Sequence, residues 1–199
     1  MTPTLRYIEE SRERSTNVDE PGTGFSGIDL PFPYTTASIR GEGRFSFFFY
    51  WDTYFTNIGL LPSSRLETAR HNIENMLWFI ERQGYMPNHV GLYNRSQPPY
   101  LCRMIEEYLT ASGDVDPDFY RRAAAGVRRE YQFWTTARMT PCGLNGYGHH
   151  TTRADCMDFY DRILVRRLSL DPAADDDTKH RIGGHYLGGA ESGWDFCQR

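Results

Sequence analysis

The stretch that decides the fold runs from Ser63 to Gly84, "SSRLETARHNIENMLWFIERQG". Leu66, Ala69, Ile73, Met76, Leu77 and Ile80 recur in it at three- and four-residue intervals, which at 3.6 residues per turn places them on one face. Ser63 or Ser64 is suited to cap the start and Gly84 to end it. The spacing therefore predicts a helix from Pro62 onward with its apolar stripe turned to a core.

Working outward, the same period returns. "QPPYLCRMIEEYLTASG" (97–113) has prolines suited to a first turn, a stripe of Leu101, Ile105, Tyr108 and Leu109, and a stop at Gly113. "DPDFYRRAAAGVRREYQFWTTARM" (116–139) opens on Asp116, a good N-cap, with Pro117 behind it. Its expected stripe is Tyr120, Ala124, Val127, Tyr131 and Trp134. Two more helices are expected, at about 155–168 and 175–190. "YWDTYFTNIGLL" (50–61) fits a helix through Tyr50, Tyr54, Ile58 and Leu61. "RFSFFFYW" is the one β-looking run, and it leads straight into that helical pattern. Residues 16–43, "TNVDEPGTGFSGIDLPFPYTTASIRGEG", are rich in glycine, proline and threonine and predict irregular structure. The fold class is mainly α, with paired helices joined by polar loops.

Composition excludes several functions. The 199 residues carry 22 Lys and Arg against 26 Asp and Glu, a net charge of −4, and Lys179 is the only lysine. No basic stripe exists, so nucleic acid is not an expected partner. No apolar run approaches a membrane span. Cys102, Cys142, Cys156 and Cys197 lack zinc-site spacing and are read as free thiols. The start "MTPTLRYIEESRERS" has no apolar signal-peptide core, which points to the cytoplasm if Met1 is the true start. Aromatic residues make up 15% of the chain, enough for a large core or for a ring-binding cleft.

Four stretches between the helices hold the unusual polar residues. In "GRFSFFFYWDTYF" (43–55), Asp52 among aromatics either caps a helix with Arg44 beside it or faces a polar ligand. In "GYMPNHVGLYNRSQPPY" (84–100), Asn88, Arg95 and Gln97 either aim forks at hydroxyls or build a turn and a helix start at Ser96. In "GLNGYGHHTTRADCMDFY" (143–160), adjacent His149 and His150 diverge too much for one metal, and Arg153 and Asp155 form a loop pair, Asp155 also fitting an N-cap. In "ESGWDFCQR" (191–199), Glu191 and Asp195 would repel on a shared helix face, but Gly193 argues against a continuous helix. Asp195 beside Trp194 is either a buried structural carboxylate or a general acid whose pKa apolar surroundings raise. No metal and no cofactor is expected.

Together these stretches resemble the trehalase family of glycoside hydrolases. "GRFSFFFYWDTYF" resembles the family pattern PGGRFxExYxWDxY, "MPN…NRSQPP" resembles PNG…RSQPP, and "ESGWDFCQR" resembles ASGWDFSSR. "LPFPYTTAS" (30–38) is similar to the LPxPYxVP segment before the first pattern. The resemblance extends from about Tyr7 to Arg199 and implies an (α/α)6 barrel, a six-hairpin toroid, of which residues 1–199 make the N-terminal half. It implies hydrolysis of an α-linked glucoside, α,α-trehalose above all, with inversion. It makes Asp195 the general acid. It assigns sugar contacts to Arg44, Phe45, Trp51, Asp52, Asn88, Arg95, Gln97, Arg153, Asp155 and Gly193. The pattern is not matched throughout: Phe47 stands for a Glu, Phe49 for a Tyr, Asp155 for a Glu and Glu42 for a Gly. The loop from Asn88 to Arg95 is short. The family's catalytic base lies beyond a QWDxP pattern that is not found in these residues, so the expected chain is incomplete and inactive alone. Its expected partners are a small carbohydrate and the rest of the barrel. Other expectations left open are a related α-glucosidase and a non-catalytic sugar-binding relative.

Overall fold

The computed structural model describes residues 2–39 and 45–194. Among the described residues there are eight α-helices: α1 Pro3–Ser15, α2 Tyr50–Leu60, α3 Leu66–Gln83, α4 Leu101–Ser112, α5 Pro117–Thr136, α6 Arg153–Phe159, α7 Val165–Leu168 and α8 Asp176–Glu191. A π-helical turn, Tyr160–Leu164, joins α6 to α7 without a break. Strands β1 Thr16–Asn17 and β2 Tyr34–Thr35 pair antiparallel, Thr16 opposite Thr35. The chain is mainly α, as its periodicity predicts.

Helix α3 is central and touches α2, α4, α5 and β2. Its predicted stripe is the core: Ala69, Ile73, Met76, Leu77 and Ile80 are fully buried, with Leu66 at the margin. Gly84 ends it in the left-handed region at φ 81°, where glycine carries no Cβ penalty. The expected serine cap is not made. Leu61–Ser63 is a short 3-10 turn, Ser64 takes a left-handed φ of 57°, and Arg65 precedes α3 without a side-chain cap. Ser63 instead accepts a 2.7 Å bond from Arg12 of α1. Helix α1 itself was not foreseen, because it has no apolar stripe and buries no residue completely.

The inner face of α3 also carries two asparagines that periodicity gives no reason to expect. Asn72 accepts from Thr35 N at 3.0 Å and donates to Thr35 Oγ1 and to Asn57 Oδ1, both at 2.9 Å. Asn75 accepts from Phe32 N at 3.2 Å and donates to Phe32 O at 3.0 Å. An irregular segment buried against a core needs partners for its backbone, and these amides supply them.

Helix α5 starts as predicted: Asp116 accepts from Asp118 N at 2.9 Å, and Pro117 occupies the first turn. Its buried face, however, is Phe119, Ala123, Gly126 and Glu130, and Tyr131 of the expected stripe is 69% exposed. The reason lies in the neighbour. A Cβ on Gly126 would come within 2.4 Å of Leu77, so the glycine allows close approach to α3, and Glu130 faces inward to take the Tyr50 hydroxyl. In α2 the buried set is Tyr50, Thr53, Tyr54, Asn57 and Leu60, while Ile58 is exposed. Pro98 and Pro99 lie before α4 rather than in its first turn. Among the described residues of the run before α2, 45–49, there is no strand; Phe49 makes an isolated bridge to His89.

Helices α6 and α8 pack closely against each other through glycine. A Cβ on Gly183 would lie 2.1 Å from the carbonyl oxygen of Cys156, so only glycine permits this approach. Asp175 caps α8 by accepting from Thr178 N at 2.8 Å. Cys102 and Cys142 are exposed and Cys156 buried, all free thiols.

Candidate functional site

The site is assembled on the N-terminus of α2. Phe49 offers that helix no side-chain cap, so its first N–H groups need partners from elsewhere. Tyr50 N donates to Asn88 O at 3.1 Å, and Trp51 N donates to Oε1 of Gln97 at 3.0 Å. Asn88 N donates to Arg95 O at 2.9 Å, which closes residues 88–95 into a tight turn. Two of the four stretches are thus locked together, with Asn88 and Gln97 buried. Ser96 does not cap α4; its hydroxyl donates to Met86 O at 2.6 Å.

The fourth stretch meets the first through Gly193. Helix α8 ends at Glu191, and Gly193 turns the chain at φ 77°. A Cβ there would sit 2.4 Å from Cη2 of Trp51, so the backbone of the turn lies directly on the indole. Trp194 follows, exposed. Asp195 and Arg44 fall outside the described residues.

The rest of the predicted set is more dispersed. Phe45 is 58% exposed, with its ring 5.9 Å from that of Phe49. Phe47 stacks on His89 at 5.1 Å and touches Phe25 at 4.0 Å, so the two phenylalanines that depart from the family pattern belong to one aromatic cluster. Burial in that cluster pulls the His89 pKa down. Asp52 lies in the first turn of α2 and is not its cap. Arg95 is half-buried and donates to Asn94 Oδ1 at 2.9 Å.

Arg153 and Asp155 open α6 on its exposed side. Thr152 is the cap, and Asp155 completes a capping box by accepting from Thr152 N at 3.2 Å. The Thr152 and Thr151 hydroxyls hold the Asp155 carboxyl below its ordinary pKa. Arg153 donates to Asp177 at 2.5 Å and faces His180 at 3.2 Å. The structure brings Trp51, Asn88, Arg95, Gln97 and Gly193 together, and instead pairs Arg153 with Asp177 and His180 of α8 and Asp155 with Thr151 and Thr152.

Sequence reasoning missed a buried network beneath this cluster. The Glu191 side chain is 0% exposed. Its carboxylate accepts from Ser96 N at 2.7 Å, Gly148 N at 2.7 Å, Arg138 Nε at 2.6 Å and Arg138 Nη2 at 2.7 Å. Arg138 also donates to His150 Nδ1 at 3.1 Å. Arginine only donates, so Nδ1 is the acceptor and the ring proton sits on Nε2, 2.5 Å from Tyr93 O. Burial lowers the His150 pKa and favours that neutral ring. One signal was available: a carboxylate at a helix C-terminus opposes the helix dipole and so needs a cation.

A groove of about 1160 Å³ runs beside the Gly193 turn, lined in part by Tyr147, His149, His180, Gly188, Ser192 and Trp194. Among the described residues no three His, Cys, Asp or Glu side chains are grouped to hold a metal, and no helix is long and apolar enough to cross a membrane.

The chain is similar to known proteins over most of its length. The profile of the trehalase family matches residues 29–199. A trehalase of Tenebrio molitor is 30% identical over 176 residues, covering 84% of this chain and 31% of the relative. A periplasmic trehalase of Pseudomonas aeruginosa is 31% identical over 191 residues, covering 86% of this chain and 32% of the relative. Neutral trehalase Nth1 from Saccharomyces cerevisiae superposes with a TM-score of 0.58 at 25% identity, covering 89% of this chain and 36% of that one. The chain therefore spans about a third of the length of these relatives, and its helices are part of an (α/α)6 barrel. With the motifs in order, the fold shared and the family profile matched over most of its length, this chain belongs to the trehalase family.

Proposed function

We propose that this chain carries the sugar-holding and proton-donating part of an inverting glycoside hydrolase acting on an α-linked glucoside, with α,α-trehalose as the first substrate to test. The observation that supports this most is the meeting of Gly193 with Trp51, which brings the turn before Asp195 onto an aromatic face suited to a sugar ring. In this reading Asp195 protonates the glycosidic oxygen as the bond to the anomeric carbon breaks. A second carboxylate, about 6.5–9.5 Å away across the sugar, takes a proton from the attacking water. These 199 residues supply the first group and leave the second to the rest of the barrel. Arg44, Phe45, Asp52, Asn88, Arg95, Gln97, Arg153 and Asp155 hold the sugar hydroxyls and ring. No cofactor and no metal enters the reaction, and no nucleic acid or membrane is a partner.

The test is glucose release from trehalose by the full-length gene product. Asp195→Asn is expected to lower kcat by about 100-fold or more. An unchanged rate removes Asp195 from the acid's role. The 199-residue chain by itself is expected to show no turnover, and trehalose hydrolysis by it would place a base within these residues.

A second reading is favoured by one observation, the aromatic cluster of Phe25, Phe47, Phe49 and His89. Apolar rings in place of a Glu and a Tyr take hydrogen-bond partners from the neighbourhood of the sugar, and such a loss shifts specificity. A panel of α-glucosides on the full-length product separates the two, since exclusive turnover of trehalose excludes this reading.

A further inference from the structure

Glu191 is a buried carboxylate for which the proposed reaction has no use. It nonetheless joins three segments that the reaction depends on. Through Ser96 N it grips the chain between Arg95 and Gln97. Through Gly148 N it holds the loop leading to Arg153, and through its own backbone it starts the turn that lays Gly193 on Trp51. Arg138 clamps both of its oxygens and continues the chain of bonds to His150, which faces the carbonyl of Tyr93. A fork-on-fork pair fixes orientation as well as distance, because both parallel bonds weaken if either partner rotates.

We propose that Glu191, clamped by Arg138, is a positioning residue that holds the Gly193 turn in register with the sugar-holding stretch Arg95–Gln97. The assignment rests on the reading of Asp195, two residues beyond Gly193, as the proton donor. Glu191 touches no substrate in this scheme; it acts by fixing where the turn before Asp195 sits relative to Gln97 and Trp51. A turn carried on glycine has wide conformational freedom, so its placement must come from its anchors. Local bonds tie the turn to the end of α8, Gly193 N to Ala190 O at 3.4 Å and Trp194 N to Ser192 Oγ at 3.2 Å, and the Glu191 carboxylate ties that end to the distant Ser96, Gly148 and Arg138.

Two variants of the full-length gene product separate positioning from mere bracing. Arg138→Lys keeps the charge and removes the fork; Glu191→Gln keeps the shape and replaces one acceptor by a donor that faces Arg138 and either Ser96 N or Gly148 N. Both are expected to lower kcat for trehalose on the order of 100-fold while KM changes by less than about threefold, because a displaced acid costs the chemical step more than binding. The second readout needs no turnover. The carboxyl carbon of isotopically labelled Asp195 is followed by NMR as a function of pH, and its titration midpoint is expected to move by about half a pH unit or more in Arg138→Lys. If the variants only lose thermal stability, keeping kcat per folded molecule and an unmoved Asp195 midpoint, the positioning role is wrong and the hydrolase reading stands. If the unaltered protein hydrolyses no α-glucoside, the hydrolase reading fails, and the Asp195 titration still decides whether Glu191 places the turn.

Discussion

Two regions of this molecule are built by opposite means. The first, from Leu30 to Val127, closes around α3 with one apolar cluster: Phe48, Tyr50, Ile73, Met76, Phe79, Ile80, Leu101, Met104 and Phe119 among others. The second, from Arg138 to Trp194, buries fewer apolar side chains, chiefly Cys156, Tyr160, Leu164 and Leu187. It is held instead by a glycine-mediated helix contact and a buried ionic network. The difference teaches where tolerance lies. Apolar packing is non-directional and degrades gradually, whereas a buried charge pair is costly to break and close backbone contact admits no added atom.

The sharpest way to break the contrast is at Arg138. Arg138→Met leaves Glu191 buried without its cation and is expected to cost about 3–5 kcal/mol, read as a fall in the urea midpoint. The double change Arg138→Met with Glu191→Gln removes the unpaired charge and keeps one amide oxygen as an acceptor for Ser96 N or Gly148 N, and should recover much of that loss. If it does not, the pair contributes net stability, and the second region resembles the first more than its chemistry indicates. In the first region, Ile73→Ala is expected to lose a comparable amount, about 2–5 kcal/mol, through a cavity that no second substitution is designed to rescue.

The same substitution placed in each region gives the next test. Gly183→Ala drives a Cβ to 2.1 Å from the Cys156 carbonyl oxygen, a backbone atom, and should cost about 3 kcal/mol by forcing α6 from α8. Gly126→Ala meets Leu77 Cδ2 at 2.4 Å, the far end of a flexible side chain, and gains about 1 kcal/mol in helix propensity. Its net effect on the thermal midpoint should be small. Equal losses at the two sites would show that helix contact in the first region is as rigid as in the second.

Glu130 of α5, just beyond the first region's bounds, turns a buried carboxylate towards that core, where its partner is the Tyr50 hydroxyl rather than a cation. Burial raises the Glu130 pKa from 4.5 to about 7, with the Tyr50 hydroxyl opposing the rise. The folded protein therefore holds this proton more tightly than the unfolded chain. The resulting stability is fully present below about pH 4.5 and is lost as pH rises to about 7, a change on the order of 3 kcal/mol. Glu130→Gln should flatten the thermal midpoint across that interval. An unaltered fall in the variant would assign the pH dependence to another group. At the other extreme, Arg103 forms exposed pairs with Glu106 and Glu107, and Arg103→Ala should leave the midpoint unchanged.

Legibility followed the same divide. In the first region the α3 stripe, the Gly84 and Gly113 stops and the Asp116 cap could all be read directly, because each is a local consequence of period or of backbone freedom. The α5 stripe could not: its two tyrosines suggested one face, while Gly126 and Glu130 occupy the buried one. Which face packs depends on how closely α3 can approach and on where the Tyr50 hydroxyl points, and neither is local. In the second region α8 was legible as a helix at about 175–190, but neither its Asp175 cap nor the meaning of Glu191 was. Its partners lie 43, 53 and 95 residues away in the chain. The four polar stretches were legible as a group, yet Gln97 serving the N-terminus of α2 from 46 residues away was not.

The sequence by itself determined the helices other than α1, several of their ends and the order of the four motifs, because period, capping and motif spacing are read along the chain. Only the tertiary structure decided which face of α5 is buried, that Asp155 closes a capping box, that Gly193 must be glycine because Trp51 lies against it, and that Glu191 is an anchor. Each of those depends on groups far apart in the chain meeting within a few ångströms, where excluded volume and the cost of an unpaired buried charge leave few alternatives.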